Sequence, residues 1–203
     1  MSQSLSERFP GVIFTNESRV LVGDNVIIQP GTIIGATPLM TKIKDKQEEI
    51  LSIKGNIIIE DDVKIGAGVT INFGCGPRTK IWTDPDGNPV YGRDTVIKKG
   101  AFVWHHANLG HDVIVGEHTK IGAYVCIAGA CEIGEWSYFA IGSMTNPLKK
   151  IGSIVMVGSK SLVTKDIQNC VKVKGIPAKK FADNTWRPDG WTDEDERKIQ
   201  CDR

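Results

Sequence analysis

Aliphatic residues recur at every sixth position through most of this chain. From Ile97 the series runs Ile97, Val103, Leu109, Val115, Ile121, Ile127, Ile133, Phe139, Thr145, Ile151, Val157 and Val163, and ten of these twelve are Ile, Val or Leu. The residue two places before each is small or β-branched, with Lys149 the exception. The same register holds earlier, at Val22, Ile28 and Ile34 and at Ile53, Ile59, Ile65 and Ile71. A helix repeats its apolar face every 3.6 residues and a half-buried strand every two, so neither produces a period of six. Hexads of a parallel β-helix do. Each hexad forms one flat side, its aliphatic residue points inward, and glycine, Asn or Asp takes the corner. Each buried aliphatic side chain contributes roughly 1.5–3 kcal/mol, which offsets the ordering entropy only where neighbouring coils cover one another. The predicted fold is all-β, a solenoid with one continuous core.

Two segments break the register: 36–52 (ATPLMTKIKDKQEEILS) and 73–94 (FGCGPRTKIWTDPDGNPVYGRD). Both read as loops extruded from a corner. The second has Pro, Asp and Gly turn chemistry around DPDGNP and carries Trp82 and Arg93, and loops on a rigid scaffold often hold ligand contacts. After Val163 the hexads stop. The division expected is a solenoid over 1–177 and a tail over 178–203, partly helical at TDEDERKIQ, with Trp186 and Trp191 packed on the solenoid's end as a cap.

Composition narrows the classes. The chain has 203 residues, 40% hydrophobic, with a net charge of +1. Near-neutrality gives no reason to expect nucleic-acid binding. No apolar run approaches the roughly 20 residues a membrane-spanning helix needs. The start, MSQSLSERFPG, lacks a signal peptide's apolar segment, so no membrane insertion and a cytoplasmic location are expected. Five cysteines, odd in number and without a CxxC pair, read as reduced and mostly structural thiols, with Cys126 and Cys131 at repeat positions that predict burial.

The stretches IIIEDDVKIGAGVTIN (57–72), LGHDVIVGEHTKIG (109–122), IAGACEIG (127–134) and KGIPAK (174–179) resemble the left-handed β-helix hexapeptide acyltransferases. Within that family the likeness is to enzymes that acylate sugar nucleotides, both amino-sugar N-acetyltransferases and the UDP-sugar acyltransferases of lipid A synthesis. It covers about Val22 to Lys179. The resemblance implies the left hand of the helix and a homotrimer with donor clefts between subunits. It also implies transfer of an acetyl group from acetyl-CoA to the amine of a nucleotide-linked amino sugar, with no metal. Longer-chain transfer from acyl carrier protein to a UDP-sugar is the alternative. The sequence shows neither the separate N-terminal domain nor the long C-terminal helical extension of the lipid A enzymes, which directs the expectation to acetyl transfer. Phe102, Ile114, Tyr138 and Met156, apolar yet between core positions, also point to assembly.

Four histidines are present: His105, His106, His111 and His118. His111 stands in LGHDVIVG where the resembled motif has a general base. Imidazole titrates near working pH, so it can take the proton of an attacking amine. Asp112 is a candidate for orienting the ring. Neighbours on a strand face opposite sides, however, so a backbone carbonyl or another residue is equally open. One coil of about 18 residues further on, Gly129 is implied as the N–H donor to a developing oxyanion. With Ile141, Ser159, Lys174, Pro177 and Lys179 it forms the implied coenzyme-A cleft. The implied acceptor contacts are Asn72, Trp82, Arg93, His105 and His106. A rival reading starts from HANLGH, which is similar to a zinc carbonic anhydrase class of the same fold. A catalytic zinc needs three protein ligands, and Asn72 stands where the third histidine is expected. His105 and His106 therefore fall to the acceptor pocket or the trimer seam.

Overall fold

The computed structural model describes residues 3–38, 41–44, 47–50, 53–83 and 87–201. Among these, three parallel sheets form the walls of a three-sided coil. Face A carries Ile13–Phe14, Ile33–Ala36, Thr70–Asn72, Asn108–Leu109, Cys126–Ile127, Met144–Thr145 and Leu162–Val163. Face B carries Val20–Val22, Ile57–Ile59, Thr95–Ile97, Ile114–Val115, Glu132–Ile133 and Lys150–Ile151. Face C carries Ile27–Ile28, Lys64–Ile65, Phe102–Val103, Lys120–Ile121, Tyr138–Phe139, Met156–Val157 and Val171–Lys174. The chain visits A, B and C in turn, so Leu109 pairs with Ile127 one full coil on. Coils are joined by backbone hydrogen bonds such as Gly110 N–H to Ile127 O and Gly122 N–H to Phe139 O, both 2.8 Å.

The core is the one the period requires. All twelve hexad positions from Ile97 to Val163 are buried, and so is the row two places earlier apart from Lys149. Its polar members are satisfied: Thr119 Oγ1 donates to Gly134 O (2.7 Å) and Ser137 Oγ to Gly152 O (2.9 Å). Their burial therefore leaves no unpaired group to desolvate.

The corners differ from expectation. Gly100 and Gly142 take positive φ as anticipated, but so do His118, Tyr124, Trp136 and Ile154, at 55°, 58°, 58° and 56°. That region is costly for such residues, above all for a β-branched one. Contacts along each corner column offset the cost. His118 stacks on Trp136 at 4.2 Å and His106 on Tyr124 at 5.1 Å, while Ile154 is buried beneath the tail.

Both register breaks leave the solenoid at the same place, the corner between faces A and B. The first runs over 37–56 and pairs Thr41–Lys44 with Gln47–Ile50. The second runs over 73–94 and pairs Lys80–Thr83 with Pro89–Tyr91. The turn expected at DPDGNP falls largely on 84–86, outside the described residues.

The tail adds Lys179–Asp183 antiparallel to the edge of face C and then crosses to the B–C corner, where a helix spans Asp193–Ile199. Trp186 and Trp191 do not cap the solenoid's end. They pack on Trp136, at 6.2 and 6.4 Å, along the B–C corner, because that column offers a half-buried ring and the apolar Ile154 beside it. Two cysteine expectations are also corrected. Cys170 and Cys201 are joined in a disulfide, since the helix lays its C-terminal end against Cys170. Cys126 is exposed, because it precedes the inward Ile127 and so faces out from face A.

Candidate active site

The A–B corner concentrates the polar chemistry. Gly110 ends the face A strand, and Asp112 turns the chain onto face B with φ of 61°. At such a corner the alternation of an extended strand does not apply, so the side chains of His111 and Asp112 converge. His111 Nδ1 lies 2.5 Å from Asp112 Oδ2. The aspartate side chain is fully buried and the histidine 20% exposed. The expectation that neighbouring residues point apart fails here for this reason.

Loop 73–94 supplies the rest of the aspartate's surroundings. Asp112 Oδ1 accepts the backbone N–H of Cys75 (2.9 Å) and of Arg93 (2.5 Å), and Asp112 N–H donates to Thr95 Oγ1 (3.0 Å). Burial pushes the carboxyl's pKa up. Hydrogen bonds from His111, from the Cys75 thiol and from the two backbone amides outweigh it and hold the group below the usual aspartate value. Asp112 is thus an ionised acceptor that keeps the His111 proton on Nδ1. The Nε2 lone pair is left facing the next coil.

That next coil presents Gly129. A Cβ there would sit 2.6 Å from His111 Cε1 and closer still to Nε2. Ala128 N–H donates to Thr145 Oγ1 and Ala130 N–H to His111 O, whereas among the described residues Gly129 N–H has no acceptor. The histidine base and an unengaged amide donor therefore lie side by side. Cys75, Thr95 and the Arg93 amide are parts of this arrangement that sequence reasoning did not find. Cys75 and Arg93 lie in a segment without register, and Thr95 reads only as a core residue.

The remaining candidates are spread over the solenoid. Asn72 is one coil below His111 and donates to Leu109 O (2.9 Å). Trp82 is half-exposed on the 73–94 hairpin. The Arg93 guanidinium donates to Asp112 O (2.8 Å) and Cys131 O (3.2 Å) and pairs with Glu132, which ties the loop to the coils. His105 and His106 lie on the A–C corner, with Ile141 and Ser159 further along the same column. Lys174, Pro177 and Lys179 surround the exposed turn after the last face C strand.

His106 and His111 thus occupy different corners and do not converge within the chain. Cys75, His111 and Asp112 do converge, with donor atoms within 4.8 Å. Asp112 is filled by N–H donors, and burial, with Asp112 beside it, pushes the Cys75 thiol far above its usual value. Burial also raises the Cys131 thiol, so neither buried free cysteine is a ready nucleophile.

Residues 94–129, which span this corner, match the family model of the bacterial transferase hexapeptide (six repeats). The match covers 36 of the chain's 203 residues. The coil is a left-handed parallel β-helix, superposing with a TM-score of 0.65 on the UDP-N-acetylglucosamine acyltransferase of Francisella novicida at 15% identity, over 95% of this chain and 70% of that one. It superposes at 0.56 on the perosamine N-acetyltransferase of Caulobacter crescentus in complex with CoA and GDP-perosamine, at 22% identity, over 80% of this chain and 58% of that one. At such identities the likeness is one of fold. In sequence it is 28% identical over 174 residues to the UDP-3-O-acylglucosamine N-acyltransferase of Methylorubrum extorquens, which is 85% of this chain and 44% of the relative. The chain therefore spans less than half the length of that relative.

Proposed function

We propose that this protein is an acyltransferase that moves an acetyl group from acetyl-CoA to the amine of a nucleotide-linked amino sugar. The observation that carries this is the His111 Nε2 lone pair, oriented by buried Asp112 and set beside the Gly129 amide. The amine nitrogen attacks the thioester carbonyl while Nε2 takes its proton. A C–N bond forms, and the carbonyl π pair moves onto oxygen, to which Gly129 N–H donates a hydrogen bond. Collapse breaks the C–S bond, and the departing sulfur takes the proton from the imidazolium. Attack is direct, in keeping with the thiols of Cys75 and Cys131 held protonated by burial.

The donor reading is supported by Ile141 and Ser159 on the A–C corner with Lys174, Pro177 and Lys179 nearby. Between that corner and Gly129 lies the last part of face A, whose outward row of Asn108, Cys126, Met144 and Leu162 is uncharged and suits an extended thioester arm. The whole outward row of face A, from Ile13 to Leu162, has no charged member. This supports a homotrimer formed through that face. The second reading is longer-chain transfer from acyl carrier protein to a UDP-sugar; the Methylorubrum relative is an N-acyltransferase of a UDP-linked acylglucosamine.

The test is thiol release from acetyl-CoA across a panel of nucleotide-linked amino sugars, with long-chain acyl carrier protein run in parallel. His111→Ala is expected to lower turnover by about 100- to 10,000-fold with assembly intact. Turnover of His111→Ala within about threefold of wild type would remove the proposal.

A further inference from the structure

His111 and its partners leave unexplained an open groove of about 570 Å³ on face C beside the B–C corner. Trp104 and Tyr138 line its floor, with centroids 6.3 Å apart and rings nearly perpendicular. Trp136 and Trp186 form the wall where the tail crosses. Lys120 and Lys172 stand in the same outward row as Tyr138, and neither is ion-paired among the described residues. No acidic side chain is among those lining the groove. Trp104 stacks on Phe102 and Trp136 on His118, while Trp186, 51% exposed, and Tyr138, 37% exposed, keep open faces. Asn184 pins the tail open over the groove by donating from Nδ2 to Ile154 O (2.8 Å).

We propose that this groove binds a nucleoside diphosphate, the base stacked on the indole rings and the diphosphate on Lys120 and Lys172. Each feature of the groove selects for that ligand. Aromatic faces stack a planar base whatever its identity, and two ammonium groups on one row, with Tyr138 and Met156 between them, supply positive charge for its phosphates. A neutral sugar would leave both lysines unused, and an acyl chain would be opposed by them. The volume lies within the range of about 300–1,000 Å³ usual for small-molecule sites. That the nucleotide belongs to the acceptor rests on the acyltransferase reading; the site itself does not. The donor's nucleotide is assigned to the other end of the last strands, at Lys174 and Lys179.

Calorimetric titration of the full chain with UDP, GDP and coenzyme A, with tryptophan fluorescence read in parallel, decides the matter. Saturable binding of a nucleoside diphosphate with quenching is expected. Trp186→Ala and Lys172→Ala should each weaken it by about tenfold or more, and His111→Ala should leave it unchanged. Lys172 is a surface residue, so its variant tests the groove even if Trp186→Ala disturbs the tail. The proposal is overturned if neither diphosphate binds saturably below millimolar concentration, or if both variants bind as tightly as wild type. It is also overturned if coenzyme A binds there with the same sensitivity to Lys172→Ala. Trp186→Ala that shifts the sedimenting assembly while wild type binds no nucleotide would assign the groove to a second copy instead. Failure here with His111-dependent turnover intact would leave the acyltransferase reading standing.

Discussion

Replacing Asp112 by asparagine tests the central geometric claim without removing volume. Asp112 Oδ1 holds two backbone N–H groups, from Cys75 and Arg93, and these fix which end of the new amide faces them: its oxygen must. The amide NH2 is then directed at His111 Nδ1, which can no longer carry a proton there. The ring must protonate Nε2, the atom that faces Gly129. A base presented in the wrong tautomer costs about 10⁴-fold where a buried aspartate orients a catalytic histidine, and a loss of about 100- to 10,000-fold in turnover is expected here. The effect on stability is smaller. Two charge-assisted hydrogen bonds become neutral ones, at about 0.5–1.5 kcal/mol each, so the melting temperature should fall by about 2–12 °C. Long-range 1H–15N correlation of the histidine rings reads the tautomer directly, without a substrate, and His111→Ala identifies the signal among the four. Wild type should show His111 protonated at Nδ1 and Asp112→Asn at Nε2. An unchanged tautomer, or a switched tautomer with turnover intact, would refute the reasoning.

Three further outcomes follow from the same corner. Asp112 has its native pKa held below the ordinary 3.8, so its contribution to stability is fully present above that value and is lost as pH falls through the native one; the melting gap between wild type and Asp112→Asn should close as pH falls below 3.8. Gly129→Ala should displace the His111 ring and lower turnover by at least about tenfold with little change in melting temperature, and a fully active variant would show that the ring does not lie over this residue. Arg93→Ala removes the guanidinium bonds to Asp112 O and Cys131 O but keeps the backbone N–H to the carboxylate, so it should cost about 1–2 kcal/mol of stability with KM nearly unchanged; a KM raised by more than about tenfold would instead make Arg93 a substrate ligand.

The solenoid was legible because burial follows one rule along the whole coil. A side chain at a hexad position has nowhere to point but inward, and the series from Ile97 to Val163 is buried without exception. What lies off that rule was hidden. The left-handed corners at Trp136 and Ile154 are held by stacking and by the tail, contacts between residues far apart in sequence. Cys126 was misplaced by one position, which on a strand reverses its face. The Cys170–Cys201 bond depends on where the terminal helix docks, and no spacing encodes that. Cys75 and the Arg93 amide reach Asp112 only because loop 73–94 leaves from the same corner one coil below, a placement that a break in register marks but does not locate.

Gly129 shows how the two kinds of information meet. In the sequence it reads as a turn glycine that also lies one coil beyond His111. The positive φ at that corner belongs to Ala130, at 58°, so the backbone does not need glycine at 129 for its conformation. It needs the space. The His111 ring, drawn over the next coil by its bond to Asp112, fills the volume a Cβ would take. The absence of that one carbon brings an unengaged amide within reach of whatever the histidine deprotonates. The same corner without the His–Asp pair would accept alanine, as it does at 128 and 130. The glycine is therefore explained by the chemistry of the coil beneath it rather than by the turn in which it sits.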